Sequence, residues 1–274
     1  MFWKTTRFTL DLSSPQVMGI VNVTPDSFSD GGHHDTLHAA LSHCEKLIQD
    51  GAHILDIGGE STRPGAPVVS LEDELARVLP LVREALRFGV PISVDTYKPQ
   101  VMQAVLDAGA DIINDIWALR QPGAQAVVAA HPTCGVCLMH MHGEPQTMQS
   151  LPMQGSITQS VAAFLMHHAQ ALQALGVAHE RVALDPGVGF GKTVAQNFEL
   201  LTHQNQLLSL GYPLLVGWSR KSSIGAVTGC DVGERMVPSV AAALLAVERG
   251  ARIVRVHDVG QTVQALKVWQ AAQV

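Results

Sequence analysis

The chain has 274 residues, 47% of them hydrophobic and 15% charged, with a formal net charge of −6. That length suits one α/β barrel of ~250 residues. The apolar fraction excludes a disordered chain, and a negative balance with scattered Lys and Arg excludes nucleic acid as the main partner. The longest apolar stretch, 237–247, is interrupted by Pro238 and Ser239 and falls short of the ~18 residues of a membrane span, so no membrane partner is expected. Residues 1–11 mix Lys4 and Arg7 with threonines and aromatics and lack the apolar core of a secretory leader, which points to a cytosolic protein. Cys44, Cys134, Cys137 and Cys230 fit reduced thiols there. Cys134 and Cys137 form a lone C-x-x-C beside an apolar run, with no second pair, and read as structural.

Eight apolar runs rich in Val, Ile and Leu read as strands, at 17–23, 53–57, 90–94, 111–114, 135–139, 181–184, 213–216 and 252–256. None alternates strictly, as expected of parallel strands covered on both faces. Helical patterns fill the intervals, at 36–50, 71–88, 99–108, 123–130, 157–175, 195–210, 234–249 and 260–272. In 71–88 the apolar residues Leu71, Leu75, Val78, Leu79, Val82 and Leu86 recur at the spacing of one buried face. Strand and helix alternate without a linker, so the fold class is α/β, a single (β/α)8 TIM barrel over 1–274. A short N-terminal cap, 8–10, is expected over the barrel bottom. The connections 24–32 and 58–70 exceed the usual ~2–6 residues and are full of Gly, Pro, Ser and Asp, as befits functional loops.

Each run stops at a polar or turn-forming residue, and in a closed parallel barrel all such stops face one rim. The first, M-G-I-V-N-V-T-P-D-S-F-S-D-G-G from 18 to 32, places Asn22 where its amide can bind a hard cation or a phosphate oxygen, or simply start a turn. D-I-G-G-E-S-T-R-P-G from 56 to 65 offers Thr62 and Arg63 to an oxyanion. I-S-V-D-T-Y and I-I-N-D end consecutive strands at Asp95 and Asn114. A carboxylate buried there needs a ligand or a cation, unless Asp95 merely caps the next helix. L-D-P-G-V-G-F-G-K-T from 184 to 193 superficially suggests a P-loop, but the first glycine of that motif falls on Pro186, which has no N–H to offer a phosphate. Asp185 ends the strand instead, and Phe190 offers an apolar face. G-W-S-R-K-S brings Lys221 to a helical turn whose free N–H groups suit a carboxylate or phosphate, and Lys221 also admits Schiff-base chemistry. In R-I-V-R-V-H-D, Arg255 and His257 share one strand face and make an anion site opposite in sign to Asp95 and Asp185.

Taken together, these segments resemble the dihydropteroate synthases, folate-pathway enzymes of bacteria, from Val17 to Asp258 and in the family's order. The resemblance implies an enzyme that joins 4-aminobenzoate to (7,8-dihydropterin-6-yl)methyl diphosphate, releasing diphosphate and making 7,8-dihydropteroate. It implies a pterin pocket of Asp95, Asn114, Met139, Asp185 and Lys221. A diphosphate site would comprise Asn22, Thr62, Arg63, Arg255 and His257. An aminobenzoate slot, open also to sulfonamides, would be formed by Phe28, Thr62, Pro64, Phe190 and Ser222. Mg²⁺ is the implied cofactor, with Asn22 as its protein ligand, and Asp95, Lys221 and Arg255 are the implied catalytic residues. Ordered binding is expected, the diphosphate substrate arranging the loops of Phe28 and Pro64 before aminobenzoate enters.

Three alternatives stay open in the residues: a methyltransferase domain binding a methyl-pterin on a similar barrel, a Schiff-base lyase using Lys221, and a non-catalytic pterin-binding module. The apolar last helices admit a homodimer, as the family suggests. His33, His34, His43, His142, His167 and His168 read as loop or surface residues rather than ligands, and His-Met-His at 140–142, though it gives alternating strand-end side chains, lacks a third partner at zinc-site spacing.

Overall fold

The computed structural model describes residues 1–23, 33–61, 65–143 and 153–273, with the backbone alone for 33–35. Two short strands, β1 (Phe2–Lys4) and β2 (Thr9–Asp11), pair antiparallel with Trp3 opposite Leu10. Eight parallel strands follow: β3 (Gln16–Asn22), β4 (Ile54–Gly58), β5 (Ile92–Asp95), β6 (Ile112–Asp115), β7 (Gly135–Met139), β8 (Val182–Asp185), β9 (Leu215–Val216) and β10 (Ile253–Val256). Helices α1 (His33–Gln49), α2 (Leu71–Ala85), α3 (Pro99–Asp107), α4 (Ala124–Ala130), α5 (Ile157–Ala174) and α6 (Val194–Thr202) each follow one strand. After β9 come α7 (Ser222–Thr228) and α8 (Met236–Glu248), and α9 (Val259–Ala271) follows β10.

The strands run in the order β8-β7-β6-β5-β4-β3-β10-β9. A parallel bridge between Leu184 and Leu214, with the Leu184 N–H donating to the Pro213 carbonyl at 2.9 Å, joins the two ends and closes the barrel. The (β/α)8 architecture therefore stands as expected.

The N-terminal cap is larger than the expected 8–10 segment, because β1 contributes half of a hairpin. Trp3 and Leu12 are fully buried against Met18, Ile54, Ile112, Cys137, Ala183, Leu215 and Ile253. The Trp3 indole donates to the Arg181 carbonyl at 3.0 Å, so the aromatic plugs the barrel bottom without stranding its N–H. Where the sequence pattern suggested one helix after β9, the structure has two: Gly229, at φ 72°, ends α7, and a 3₁₀ turn at Val232–Glu234 precedes α8. Likewise the patterns at 71–88 and 195–210 finish as 3₁₀ turns, Leu86–Phe88 and Gln204–Leu210, before left-handed glycines.

The inner apolar layer fixes the position of the site. Side chains two apart on a strand share a face, so the residues just above Ile54, Ile112, Ala183 and Ile253 are Asp56, Asn114, Asp185 and Arg255. Above Ser93 comes Asp95, and above Cys137 comes Met139. One ring of apolar contacts thus carries a ring of polar groups at the C-terminal rim.

Candidate active site

At the centre of that ring, Arg255 on β10 reaches two carboxylates. Its Nε donates to Asp56 Oδ2 at 2.5 Å and its Nη2 to Asp95 Oδ2 at 2.8 Å, while Asn114 Nδ2 donates to Asp56 Oδ2 at 3.1 Å. Asp56 is fully buried, and its Oδ1 has no hydrogen-bond partner among the described residues. Burial pushes the Asp95 carboxyl up to about 7, against the pull of Arg255 and with further upward push from Asp56, Asp115 and Glu74. The Arg255 guanidinium, despite its burial, is held above its ordinary range by Asp56 and Asp95. Acids and bases are therefore not segregated as the sequence pattern suggested. Arg255 is neutralised by the very acids it was expected to oppose.

Across the barrel, Asp185 ends β8 and begins a tight turn. Its Oδ1 accepts the Gly187 N–H at 2.7 Å. Burial raises its carboxyl to about 6, opposed by that N–H and by Lys221, Lys192 and Arg255. Gly187 (φ 67°) and Gly191 (φ 67°) are both left-handed, and a Cβ on them would fall 1.8 Å from the His140 carbonyl oxygen and 2.3 Å from that of His142. The turn therefore packs directly on the backbone that follows β7, which a side chain would forbid. Phe190 (7% exposed) joins Met139, Met141 and Ile116 in one apolar cluster, with Tyr97 and Trp117 against it. Lys221 Nζ sits 4.3 Å above the Phe190 ring, and its stem passes over Gly189.

The remaining rim is set by a ring of turns. Arg220 has φ 58°, a conformation costly for a residue with a Cβ. Its guanidinium pairs with Asp258 at 2.7 and 3.1 Å, its N–H donates to Ser239 Oγ, and Arg235 donates to its carbonyl. That fastening turns the chain so that Lys221 precedes α7, with Ser222 exposed at its first position. His257 Nδ1 lies 2.9 Å from Ser219 Oγ, close to the same turn. Asn22, at the end of β3, has its Oδ1 3.9 Å from the point where a Gly58 Cβ would stand, and the Asp95 Cβ lies 3.5 Å from the same point.

Asn22, Asp95, Asn114, Met139, Asp185, Phe190, Lys221, Ser222, Arg255 and His257 thus all lie at or near the rim. Phe28, Thr62, Arg63 and Pro64 lie outside the described residues. Phe190, expected as a wall of the aminobenzoate slot, is packed with the apolar group around Met139.

Sequence reading left several groups unassigned. Asp56 opens the segment from 56 to 65 but received no role, because nothing local shows that Arg255 will meet it 199 residues later. Lys192 is 3% exposed beneath the Asp185 turn. Its signal was a cation one residue before the N-cap of α6, where the helix dipole disfavours positive charge. Lys98 bridges Glu60 and Glu74, Thr96 donates to Glu74 at 2.6 Å and Tyr97 to Glu60 at 3.0 Å, tying the segments that leave β4 and β5.

A closed parallel barrel with a buried, charge-paired rim above an apolar plug defines an α/β-barrel enzyme whose ligand sits at the C-terminal ends of the strands. Residues 18–257 match the family of pterin binding enzymes. The dihydropteroate synthase of Neisseria meningitidis serogroup C is 50% identical over 273 residues, covering 98% of this chain and 96% of that one. The structure of the Xanthomonas albilineans dihydropteroate synthase with 4-aminobenzoic acid superposes with a TM-score of 0.91 at 50% identity, over 97% of this chain and 96% of that one. That of the Burkholderia cenocepacia enzyme complexed with 7,8-dihydropteroate gives 0.90 at 51% identity, over 99% and 96%. The chain belongs to the dihydropteroate synthases.

Proposed function

We propose that this rim joins 4-aminobenzoate to (7,8-dihydropterin-6-yl)methyl diphosphate, displacing diphosphate and forming 7,8-dihydropteroate. The observation that carries the reading is the single rim that brings Asp185, Lys221, Asn114 and Asp95 together with Arg255 and His257. A pterin presents an amide-plus-amino edge from which one carboxylate accepts two parallel hydrogen bonds. Asp185 is suited to it, being fixed by Gly187 and buried. Asn114 and Asp95 complete the pocket, Lys221 reaches the ring's carbonyl and N5 side, and Met139 supplies an apolar floor.

The reaction is a dissociative displacement. As the bond from the methylene carbon to the diphosphate oxygen breaks, positive charge spreads into the pterin, where the Asp95 carboxylate stabilises it. Arg255, His257, Asn22 and, from the loop after β4, Thr62 and Arg63 hold the departing diphosphate. The arylamine nitrogen, neutral at pH 7, attacks the methylene carbon and then loses its proton. Ser222 and the N–H groups at the start of α7 receive the aminobenzoate carboxylate, with Phe190, Phe28 and Pro64 as walls that also admit sulfonamides.

The donor set fits Mg²⁺. Asn22 offers one neutral hard oxygen beside an acidic rim, and no cluster of three or more His, Cys, Asp or Glu able to hold a metal occurs among the described residues. Mg²⁺ keeps several of its waters and takes few protein ligands beside substrate phosphate oxygens, so the Asn22 amide oxygen would serve as its one protein ligand here. When bound, the ion supplies charge neutralisation to the leaving group. A cytosolic site of action accords with free cysteines and with the lack, among the described residues, of a helix long and apolar enough to cross a membrane. A homodimer through the last helices is supported by Val237, Leu245 and Val268, which are exposed on α8 and α9.

The test is diphosphate release with and without 4-aminobenzoate and Mg²⁺, on the wild type and on Asp185→Asn. Release requiring both additions, and weakened by about 1–3 kcal/mol or more in the variant, is expected. Release indifferent to 4-aminobenzoate would refute the reading.

A further inference from the structure

Lys192 touches no substrate in the reading above, yet it is almost wholly buried. Its Nζ lies 2.8 Å from the Gly187 carbonyl, 3.1 Å from the Phe190 carbonyl and 2.9 Å from His140 Nδ1. An ammonium has three donors and no acceptor, and three acceptors surround it. We propose that Lys192 is a positioning residue: with His140 it clamps the 185–190 turn that presents Asp185 and Phe190, and it fixes a positive charge behind the Asp185 carboxylate.

The clamp holds one residue, Gly187, through both of its backbone polar groups. Gly187 gives its N–H to Asp185 while its carbonyl accepts from Lys192 and from the Phe190 N–H. From α6, Asn197 Oδ1 accepts the Gly189 N–H at 2.8 Å and its Nδ2 donates to Ser223 Oγ at 2.9 Å, tying the turn to the start of α7. Displacing Lys192 would take the Lys192 donor from the Phe190 carbonyl and from the imidazole nitrogen of His140, and would leave the Gly187 carbonyl with the Phe190 N–H alone, so the turn is best satisfied in this one arrangement.

The protonation states are consistent with this assignment. Burial, reinforced by Lys192, pushes His140 down to about 2, which leaves a neutral ring able to accept at Nδ1 with its proton on Nε2. Burial lowers Lys192 to about 7, while Asp185 raises it and Lys221 lowers it, so the clamp is charged chiefly below that pH, the range in which the Asp185 carboxyl, at about 6, takes up its proton. Among the described residues, the charged groups that act most strongly on Asp185 are Lys221, Lys192 and Arg255, and the buried Cys137 thiol is a further titratable neighbour. The inference rests on Asp185 as the pterin carboxylate.

The experiment follows diphosphate release across pH in Lys192→Gln, Lys192→Met, His140→Asn and His140→Leu, with equilibrium binding of the pterin diphosphate to Asp185→Asn alongside. Lys192→Gln keeps two donors but no charge, so Asp185 loses a neighbouring cation and holds its proton more tightly. The acid limb of kcat/KM for the pterin substrate moves up by about one pH unit. Lys192→Met and His140→Leu raise its KM about tenfold, with a smaller change in kcat. His140→Asn, whose amide oxygen replaces Nδ1 as acceptor, restores most of what His140→Leu loses. An unmoved acid limb in Lys192→Gln, or equal KM values in the two His140 variants, overturns the proposal, and both measurements survive if Lys192→Met does not fold. Wild-type binding by Asp185→Asn would refute the pterin role of Asp185. Weakened binding there, beside unchanged Lys192 variants, refutes the Lys192 role alone.

Discussion

Removing the Arg255 side chain, as in Arg255→Met, tests the central cluster most directly. The guanidinium makes two charge-assisted contacts, at 2.5 and 2.8 Å, to carboxylates that are 0% and 8% exposed. Without it, Asp56 retains one contact, from Asn114, and Asp95 loses its cation. Breaking a buried ion pair by deleting one partner costs about 3–5 kcal/mol. For a chain of this size that corresponds to a fall in Tm of roughly 6–20 °C. The deficit depends on pH with a defined sign. The folded-state carboxyl of Asp95 is already raised to about 7, and losing Arg255 raises it further. A raised acid favours the folded state below its unfolded value of about 4 and loses that contribution as pH rises through about 7 and beyond. Calorimetry should therefore find the variant's deficit largest near pH 8 and reduced near pH 5.5, with Asp56→Asn recovering part of it at the higher pH. A deficit below about 1 kcal/mol near pH 8, or one equal at both pH values, would mean that the cluster is not a coupled charge network.

Other outcomes follow from particular contacts. Gly187→Ala puts a methyl 1.8 Å from the His140 carbonyl and a Cβ in the left-handed region, so thermal unfolding should show a loss of about 2 kcal/mol or more with collapse of activity. A variant within about 0.5 kcal/mol of wild type would mean that the turn does not pack on β7's exit. His140 is neutral in the fold and titrates near 6.5 when unfolded, so wild-type stability should fall by up to about 1.4 kcal/mol per pH unit below that point relative to His140→Asn. Urea midpoints running parallel in the two proteins from pH 7 to about 5 would contradict the burial of a neutral ring. Asn22→Ala should need about tenfold more Mg²⁺ for half-maximal diphosphate release, and an unchanged Mg²⁺ titration would remove Asn22 from the metal site.

Much of the architecture was legible in the chain because it follows from local periodicity. Eight apolar runs separated by helical patterns specify eight βα units, and β7 begins and ends at the residues its pattern marks, Gly135 and Met139. The rim residues were visible for the same reason. Asp95, Asn114, Asp185 and Arg255 close or nearly close their strands, and a strand end is a local property. What only tertiary structure decided is which of them meet. Barrel closure brings β10 beside β3 and across from β5, so Arg255 pairs with Asp56 and Asp95 at sequence separations of 199 and 160. No periodicity encodes such a pairing, because the energy of a charge contact depends on through-space distance and burial. The same holds for Lys192, which looks like a loop cation in sequence and becomes a buried clamp only when β7's exit folds under the Asp185 turn. Trp3 likewise shows its purpose only once the barrel has a bottom to fill. The chain thus fixes its elements and their chemical ends, and closure of the barrel fixes how those ends interact.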